Sequence, residues 1–406
     1  MINVIGLGYI GLPTALMFAS NGVKVVGTDY NQNLIEKLNN RELTFEEQGL
    51  IEVFSQALSK GIEFSAEYMR TDIYIVAVPT PYNKQSKKID PSYVLKAIEE
   101  ILKVCFKDTT IVIESTIAPG TVDKFIRPLI ESRGFVIGTD LHLVHAPERI
   151  IPGNMVYELI HNSRTIGADN HTVGEKIKEL YASFCTGDIV VTDIRSAEMT
   201  KVVENTYRDI NIAFANELAK ICRTDNMDVY EIIKIANMHP RVNILQPGPG
   251  VGGHCISVDP WFLVGDYPGL ANIILAARKI NDSMPEYVLN RIHEIMKENE
   301  IFDINKVGLY GLTYKENVDD IRESPSLQLI ESMETHLAPP LKSYDPYINY
   351  NVVKNQYYDF DQFIQDIDMI VLMVGHDHIK ERLCLLEGKV ILDTKNLADL
   401  KGTYKL

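Results

Sequence analysis

The amino-acid sequence predicts an α/β protein in which two doubly wound parallel-sheet domains are joined by a central helical domain with a long helix. Three observations support this prediction. The first half of the 406-residue chain alternates apolar runs with helical patterns, a long helical pattern follows from Ser196 to about Cys222, and apolar runs return after residue 300. Strands that alternate with helices are typical of a parallel sheet with helices on both faces. We place the domains at residues 1–195, 196–300 and 301–406.

Local patterns predict the strands of both sheet domains. In the first domain we expect strands at Ile2–Ile5, Lys24–Thr28, Ile73–Val78, Thr110–Glu114, Leu141–His145 and Ile189–Thr192, with a helix at Pro13–Ser20. In the last domain we expect strands at Lys306–Gly311, Met369–Val374 and Val390–Leu392. Short apolar runs bounded by turn residues favour buried strands, because both faces of a parallel sheet are covered by helices.

The central helical pattern carries a continuous apolar stripe. Its members recur at steps of three and four residues, and they are Met199, Val203, Tyr207, Ile210, Phe214, Leu218 and Ile221. This spacing predicts one face of a single helix. Lys201 and Asn205 are four residues apart and are expected to share the opposite face. Such a stripe packs against another apolar surface, and one alternative for that surface is the core of the same chain.

The composition excludes several classes of function. A net charge of −15 without a compensating Lys/Arg cluster argues against a nucleic-acid partner. No apolar run reaches membrane-spanning length, and the amino terminus lacks the basic region of a signal peptide. The five cysteines are scattered and show no Cys-x-x-Cys spacing, so we expect neither a disulfide framework nor a metal site, and a reducing, cytoplasmic location.

A glycine pattern at the amino terminus predicts a dinucleotide site in a Rossmann-like domain. Gly6, Gly8 and Gly11 lie between the first predicted strand and the first helix, where a tight turn lets the backbone approach a pyrophosphate. Asp29 ends the next predicted strand, and a carboxylate there accepts hydrogen bonds from ribose hydroxyls. Because Asp29 would repel a 2′-phosphate and no arginine follows it closely, we favour NAD over NADP. The alternatives are a chance glycine pattern or a domain that has lost its ligand.

The segment from Gln246 to Phe262 predicts the chemical centre, since it sets Cys255 among four glycines with Asp259 four residues later. A thiolate can add to an aldehyde to form a thiohemiacetal, and a second oxidation then gives a thioester that water cleaves to a carboxylate. Cys255 is the candidate nucleophile. The alternative for any lone cysteine, and above all for Cys105, Cys185, Cys222 and Cys384, is a buried structural thiol.

Four further residues are candidates for supporting roles. Lys201 and Asn205 could stabilise the oxyanion, unless they lie on a solvated helix face. Glu148 follows a strand at the carboxyl edge of the sheet and could activate water, unless it forms a surface salt bridge with Arg149. Thr116 also follows a strand, and its alternative is the N-cap of a helix.

In these motifs the chain resembles the nucleotide-sugar 6-dehydrogenases, which oxidise a UDP-hexose at C6 to the uronic acid with two NAD. The resemblance spans nearly the whole chain and keeps the order of the motifs. These motifs are Gly6–Pro13, Val78-Pro79-Thr80-Pro81, Ser115-Thr116, Pro147-Glu148, Lys201 with Asn205, Gly252–Asp259, Lys315 and Asp320–Pro325. It implies that the first domain binds NAD, that the central helix forms a homodimer, and that the last domain binds the UDP part of the substrate.

The resemblance also implies roles for individual residues. Cys255 is the nucleophile, Lys201 and Asn205 hold the oxyanion, and Asp259, Thr116 and Glu148 position or activate water. NAD contacts are implied for Gly6, Gly8, Tyr9, Ile10, Gly11, Asp29, Val78, Pro79, Thr80, Ser115, Thr116 and Arg322. Substrate contacts are implied for Glu148, Arg149, Lys201, Asn205, Gly252 and Lys315, for Arg241 from the neighbouring subunit, and for Lys395 where the family often has arginine. A lysine there lacks the planar fork of arginine.

The loop around Cys255 separates branches of this family. Gly-Gly-His-Cys-Ile-Ser-Val-Asp-Pro-Trp and Pro-Glu-Arg-Ile-Ile-Pro-Gly resemble the branch that acts on UDP-N-acetylhexosamines, and more closely its members for UDP-N-acetylmannosamine, which feed surface polysaccharides. UDP-N-acetylglucosamine and UDP-glucose remain alternative substrates. Two alternative classes are a nucleotide-sugar-binding protein without turnover and a two-domain hydroxy-acid dehydrogenase that performs one oxidation.

Overall fold

The structure is a computed structural model that describes residues 1–253, 255–335 and 339–406. The described chain forms two compact units, Met1–Glu204 and Asn205–Leu406. The strands of the first unit are β1 (Ile2–Ile5), β2 (Val25–Thr28), β3 (Glu63–Ser65), β4 (Ile73–Val76), β5 (Thr109–Ile113), β6 (Leu141–His145), β7 (Arg164–Ala168) and β8 (Ile189–Thr192). Its helices are α1 (Gly11–Ser20), α2 (Gln32–Asn39), α3 (Leu50–Ser59), α4 (Ser92–Val104), α5 (Arg127–Ser132, after a π-helical turn at Val122–Ile126), α6 (Met155–His161) and α7 (His171–Tyr181).

The first sheet has the strand order β3-β2-β1-β4-β5-β6-β7-β8. Its first six strands pair in parallel, and β7 runs antiparallel to β6. Alternate residues of β1 and β4 enter two different apolar clusters, so both faces of the sheet are buried. The expected parallel sheet is therefore confirmed for these six strands. It is wrong at β7, a reversed strand that the sequence pattern did not predict.

The second unit contains the other sheet and most of the remaining helices. Its strands are β9 (Val307–Tyr310), β10 (Lys342–Tyr344), β11 (Gln356–Tyr357), β12 (Met369–Leu372), β13 (Val390–Asp393) and β14 (Thr403–Lys405). They pair in parallel in the order β11-β10-β9-β12-β13-β14. The helices are α9 (Val229–Ala236), α10 (Asp259–Asp266), α11 (Asn272–Asp282), α12 (Met284–Glu298), α13 (Pro325–Thr335), α14 (Phe360–Gln365) and α15 (Asp377–Lys380), with 3₁₀ turns at Ile304–Lys306 and Leu383–Leu386. Two parallel sheets and a helical region between them confirm the predicted fold class.

One long helix, α8 (Ile194–Thr224), contains the boundary between the two units. The predicted apolar stripe on α8 is largely exposed: Val203, Tyr207, Phe214 and Ile221 are 47%, 61%, 49% and 52% accessible. The polar residues of the other face are buried instead. Met199, Ile210 and Leu218 are half-buried, and Leu218 packs against an apolar cluster, so these four exposed residues, and not the whole stripe, lie outside the core. None of the described helices, α8 included, is long and apolar enough to cross a membrane.

Candidate functional site

The turn after β1 has the shape that a dinucleotide pyrophosphate requires. Gly6 has a φ of +89°, and a Cβ atom on Gly6 would lie 2.6 Å from the carbonyl oxygen of Ala77. A Cβ atom on Gly11 would overlap the carbonyl oxygen of Gly6, whereas one on Gly8 would meet no atom within 4 Å. Gly6 and Gly11 thus close the turn, and Gly8 leaves open space in front of the first helix. This cradle, next to the N–H groups at the start of α1, fits the pyrophosphate of NAD.

Asp29 lies beside this turn, immediately after β2. Its carboxylate accepts hydrogen bonds from the backbone N–H of Leu7 and of Asn31, each at 2.9 Å. Asp29 also lines a cavity of about 280 Å³, together with Ile5, Gly6, Thr28, Tyr30, Tyr68, Val78, Pro79, Tyr93, Lys96, Ala97 and Glu100. The cavity has an apolar body and a carboxylate at its edge, which fits the adenosine part of NAD. Of the other predicted contacts, Tyr9 packs its ring on Phe45 at 4.5 Å, and Ile10 precedes α1.

The segments that follow β4 and β5 are tied to each other by two hydroxyl groups. Ser115 Oγ donates to the carbonyl oxygen of Val78 at 2.8 Å, and Thr80 Oγ1 donates to that of Thr116 at 2.6 Å. These bonds hold the predicted residues of both motifs together at the carboxyl edge of the sheet. The alternative of an N-cap at Thr116 is excluded, because the helical segment after β5 begins five residues later at Thr121.

Glu148 is buried beyond the end of β6, and its partners differ from the expected ones. Its Oε2 lies 2.5 Å from Arg164 Nη2, and its Oε1 accepts a hydrogen bond from the backbone N–H of Arg149. The Arg149 guanidinium instead binds Glu204 at 2.9 Å, Thr165 Oγ1 at 2.7 Å and the carbonyl oxygen of Ser163. The surface salt bridge between Glu148 and Arg149 is therefore excluded. Arg164 is a partner that the sequence did not predict.

The polar face of α8 is buried and anchors loops, which excludes the alternative that Lys201 and Asn205 lie on a solvated face. Lys201 and Asn205 are both buried on this face, and Asn205 Nδ2 donates to Asp259 Oδ2 at 2.6 Å. Glu198 accepts hydrogen bonds from the backbone N–H of Gly120 and Val122 in the segment that follows Thr116. Burial raises the pKa of Glu198 to about 7, against the lowering effect of these two bonds.

Two more residues of this face hold parts of the second unit. Asn216 accepts a hydrogen bond from the backbone N–H of Gly248, at the start of the glycine-rich segment, at 2.8 Å. Asp209 pairs with the buried Arg278 at 2.6 Å. Sequence reasoning missed Glu198, Asp209 and Asn216 although they continue the spacing of Lys201 and Asn205 in steps of three, four and seven residues. That helical period in polar residues was the available signal.

The loop before Cys255 packs on residues far along the chain. A Cβ atom on Gly252 would lie 2.6 Å from Tyr314 Cβ, and one on Gly253, whose φ is +83°, would lie 2.8 Å from the Tyr314 ring. The backbone N–H of Gly253 donates to the carbonyl oxygen of Arg322 at 2.9 Å. These two glycines therefore permit close packing of the loop on Tyr314.

Cys255 is only half-buried, whereas Cys185 and Cys222 are buried. Its carbonyl oxygen accepts a hydrogen bond from the backbone N–H of Asp259, the first residue of α10, at 2.9 Å. Asp259 is buried and holds Asn205, so the cysteine, the aspartate and the asparagine form one connected group. His254, which precedes the cysteine, lies outside the described residues.

The predicted cations of the second unit stand in different surroundings. Arg322 is exposed, and its guanidinium forms a fork with the carboxylate of Asp320 at 2.6 to 3.1 Å. Lys395 follows β13, and its ammonium lies 3.9 Å from the position of a Cβ atom on Gly248. Lys315 is half-buried, and Arg241 is exposed on the loop between α9 and α10.

The described residues include no group of three or more His, Cys, Asp or Glu side chains that could hold a metal ion. His145 is fully buried in β6. Its Nδ1 lies 2.8 Å from the carbonyl oxygen of Ile113. Burial lowers the pKa of His145 to about 4, so the ring is neutral at pH 7.

Comparisons with known proteins match this architecture along the chain. Sequence models of the UDP-glucose/GDP-mannose dehydrogenase family match three regions: the NAD binding domain at residues 1–185, the central domain at 195–283 and the UDP binding domain at 308–400. A UDP-N-acetyl-D-mannosamine dehydrogenase from Methanococcus maripaludis is 44% identical over 98% of this chain and 93% of its own length. An NDP-N-acetyl-D-galactosaminuronic acid dehydrogenase from Ralstonia solanacearum is 36% identical over 98% of this chain and 96% of its own.

Solved structures agree with the sequence comparison. The UDP-N-acetyl-mannosamine dehydrogenase Cap5O from Staphylococcus aureus has 43% sequence identity and a TM-score of 0.89, over 100% of this chain and 97% of that chain. The chain therefore belongs to the UDP-glucose/GDP-mannose dehydrogenase family, as an NAD-dependent UDP-sugar dehydrogenase.

Proposed function

We propose that the protein oxidises UDP-N-acetyl-D-mannosamine at C6 to UDP-N-acetyl-D-mannosaminuronate, in two steps and through a thioester on Cys255. The observation that carries this proposal is the half-buried Cys255 on a loop anchored by Asp259 and Asn205. A single alcohol oxidation needs no thiol, whereas an aldehyde needs a nucleophile before it can lose a second hydride. When bound, NAD accepts the hydride in each of the two oxidations. The sum is one alcohol, two NAD⁺ and one water giving one carboxylate, two NADH and three protons.

The residues of this chain take distinct parts in the proposed reaction. The Cys255 thiolate adds to the aldehyde carbon, and the resulting hemithioacetal oxygen is stabilised by the buried Lys201 ammonium and the Asn205 amide. Asn205 Nδ2 carries two hydrogens, so one can bind Asp259 while the other binds the substrate oxygen. Glu148 removes a proton from the water that cleaves the thioester, with Thr116 and Asp259 as positioning groups. NAD is held by the Gly6–Gly11 turn, by Asp29 and by the segments at Val78–Thr80 and Ser115–Thr116.

The choice of sugar rests on two observations. The loop sequence around Cys255 resembles the UDP-N-acetylmannosamine branch, and relatives of that name share 38% to 44% identity over almost the whole chain. Relatives named for N-acetylgalactosaminuronic acid share 36% to 37%, so their substrate class is the main alternative to be tested, beside UDP-N-acetylglucosamine and UDP-glucose. The proposed product would serve surface polysaccharide synthesis in the cytoplasm, where the five free cysteines stay reduced.

The test is the yield of NADH and uronate from each of these UDP-sugars. We expect two NADH per UDP-N-acetylmannosamine without free aldehyde, and Cys255→Ser should lower uronate formation on the order of 10³-fold or more. Cys384→Ser, which changes an exposed cysteine elsewhere, is the matched control and should retain activity. One NADH per sugar would exclude the thioester route. Tight NAD and UDP-sugar binding without any NADH would instead support a protein that binds but does not turn over.

We further propose three functional domains, at residues 1–195, 196–300 and 301–406, and a homodimer formed through α8. The exposed stripe at Val203, Tyr207, Phe214 and Ile221 supports the dimer, because a contiguous apolar face is typical of an interaction surface. Tyr207→Asp should shift the molar mass measured by light scattering from dimer toward monomer. Phe302→Asp, at a residue that is 87% exposed elsewhere, should leave the mass unchanged.

The proposed contribution of Arg241 to the neighbouring site can be tested by complementation. In a mixed dimer of Cys255→Ser and Arg241→Ala subunits, one site would contain both an intact cysteine and an intact arginine only if Arg241 acts across the dimer. Activity should therefore appear when the two inactive variants are mixed and allowed to exchange subunits. If Arg241 acts within its own subunit, the mixture stays inactive.

A further inference from the structure

A buried group of charged residues lies behind Glu148 in the first unit. Arg164 Nη2 is 2.5 Å from Glu148 Oε2, and Arg164 Nη1 is 3.8 Å from Glu114 Oε1. The Tyr181 hydroxyl donates a hydrogen bond to the same Glu114 oxygen at 2.9 Å, and its ring lies 4.6 Å from the guanidinium carbon of Arg164. All of these side chains are buried. Two carboxylates thus share one guanidinium in a region without solvent.

The reversal of β7 explains how the arginine reaches this position. Glu114 and Glu148 follow the parallel strands β5 and β6, so both lie at the carboxyl edge of the sheet. Because β7 is antiparallel to β6, its first residue, Arg164, lies at that same edge. The Arg164 backbone N–H donates to the carbonyl oxygen of Asp188 at 2.8 Å, which fixes the start of the strand. The guanidinium is therefore held by the sheet and not by a loop.

The charge balance of this group favours one bound proton. Two buried carboxylates facing a single cation cannot both stay ionised without a large desolvation cost. Burial and the nearby Glu148 charge raise the pKa of Glu114 to about 8, against the lowering effects of Arg164, Tyr181 and the hydroxyl of Thr14. Cys185 is the remaining titratable group that faces Arg164. At neutral pH the proton therefore resides on Glu114, and Arg164 is left to pair with Glu148.

We propose that Arg164 and Glu114 are positioning residues for water activation, in which Arg164 orients the Glu148 carboxylate through its 2.5 Å contact while Glu114 holds the one proton of the carboxylate pair. This inference rests on the proposed role of Glu148 as the group that accepts a proton from water. Only an ionised carboxylate can accept that proton, and a guanidinium in contact with a carboxyl group favours its ionised form. Glu114 in its protonated form does not compete with Glu148 for the cation.

The first test is the pH profile of uronate formation. Removing the cation in Arg164→Gln should move the acid limb of the profile upward by about one pH unit or more, because the charged form of Glu148 loses its partner. Arg164→Lys retains the positive charge, so the acid limb of its pH profile should lie close to that of the native protein. Arg127→Gln removes an arginine that pairs with Asp169 and Asp123 elsewhere in the same unit, and it should leave the acid limb in place. A folded Arg164→Gln variant that loses rate at every pH without a shift would overturn the inference.

The second test needs no activity and addresses the proton on Glu114. A carboxyl whose pKa rises from 4.5 to about 8 on folding lowers the stability of the native chain as pH rises from about 4.5 to about 8, and no further above that. Glu114→Gln mimics the protonated form and removes this dependence. The stability of Glu114→Gln relative to the native chain should therefore increase across that window, and a flat difference would overturn the assignment. This result stands even if no UDP-sugar is oxidised, so it separates a failure of the inference from a failure of the proposed function.

Discussion

The two sheets of this protein share a strand order but use it for different purposes. Six strands of the first sheet follow the order β3-β2-β1-β4-β5-β6, and the second sheet follows the order β11-β10-β9-β12-β13-β14. When the strands of each sheet are numbered from its first strand in the chain, these two orders are identical. In both, an aspartate follows the second strand and accepts hydrogen bonds from the loop after the first strand. Asp29 binds the N–H of Leu7, and Asp345 binds those of Leu312 and Thr313. The two units therefore share both their strand order and the position of one aspartate.

The difference lies in what surrounds that carboxylate. Asp29 is half-exposed at the edge of the 280 Å³ cavity, beside a short glycine turn. Asp345 is buried, and its Oδ2 faces His376 Nε2 at 3.3 Å. The His376 Nδ1 accepts the backbone N–H of Asn317, so Nε2 carries the proton that points at the aspartate. The same scaffold therefore leaves the carboxylate half-exposed beside a cavity in one unit and buries it among internal hydrogen bonds in the other, so the loops and not the sheet determine its surroundings.

The largest expected effect on stability comes from removing one of these two carboxylates, that of Asp345, and the comparison is with removal of Asp29. Asp345→Ala should lower the free energy of unfolding by about 2–4 kcal/mol, because several buried donors lose their acceptor. Asp29→Ala should cost about 1 kcal/mol or less, since water can replace a half-exposed acceptor, but it should weaken NAD binding about tenfold. Urea unfolding and calorimetric titration with NAD measure both. Equal losses of stability would contradict the distinction drawn between the two sites.

The glycines of the first turn allow a comparison within one unit. Gly6→Ala should destabilise the protein by roughly 1–3 kcal/mol, because φ is positive and the new Cβ would meet the Ala77 carbonyl. Gly8→Ala meets open space and should change the unfolding midpoint little, while its methyl group would hinder the pyrophosphate and weaken NAD binding. Thermal melting with and without NAD distinguishes the two. Unimpaired NAD binding by Gly8→Ala would place the pyrophosphate elsewhere.

The contributions of Asp345 and Asp29 to stability can also be distinguished by how they change at low pH. Burial is the largest single effect on the pKa of Asp345 and raises it, but the hydrogen bonds from His376 and from the backbone N–H groups of Tyr347 and Thr313 outweigh it, so the pKa lies below its ordinary value. A depressed pKa stabilises the folded state above the unfolded value of about 4, and this contribution is lost as pH falls through the folded value. Asp345→Asn should therefore flatten the fall of stability below pH 4. Asp29→Asn, measured in the same way, is the control.

The smallest expected effect concerns a helix cap in each unit. Asn31 caps α2 with a 3.3 Å bond to the N–H of Leu34, and Asp359 caps α14 with a 2.8 Å bond to that of Gln362. Replacement by alanine should cost about 1 kcal/mol at either position, and slightly more at Asp359 because its acceptor is charged. Chemical unfolding of both variants measures this difference. A larger loss for Asn31→Ala would reverse the order.

The sequence allowed the buried strands to be predicted, but not the short polar ones. β1, β6 and β8 have the predicted bounds because continuous apolar runs mark strands covered on both faces. β10 (Lys342–Tyr344) and β11 (Gln356–Tyr357) are short and carry polar residues, so they give no periodic signal. β7 begins with Arg-Thr and includes Gly167, which hid both its presence and its direction.

The functional residues could also be predicted from the sequence only in part. Residue types indicated Cys255, Asp259, Asn205 and Glu148 as candidates, because their chemistry is visible one residue at a time. The partners Tyr314 and Arg164 were not predicted, since each is brought in by the fold from a distant part of the chain. For the same reason a solvated polar face of α8 stayed open as the alternative to a role for Lys201 and Asn205. A helix pattern gives two faces, but it does not state which one the rest of the protein will cover.

The start of β7 has a consequence for motion. An arginine on a mobile loop would make and lose its ion pair on the timescale of loop fluctuations, whereas the Arg164 main chain is locked into a ladder with β8. Its amide should exchange with deuterated solvent only when the sheet itself opens. The positive charge beside the Glu148 carboxylate would then stay in place while the surrounding loops admit substrate and release product.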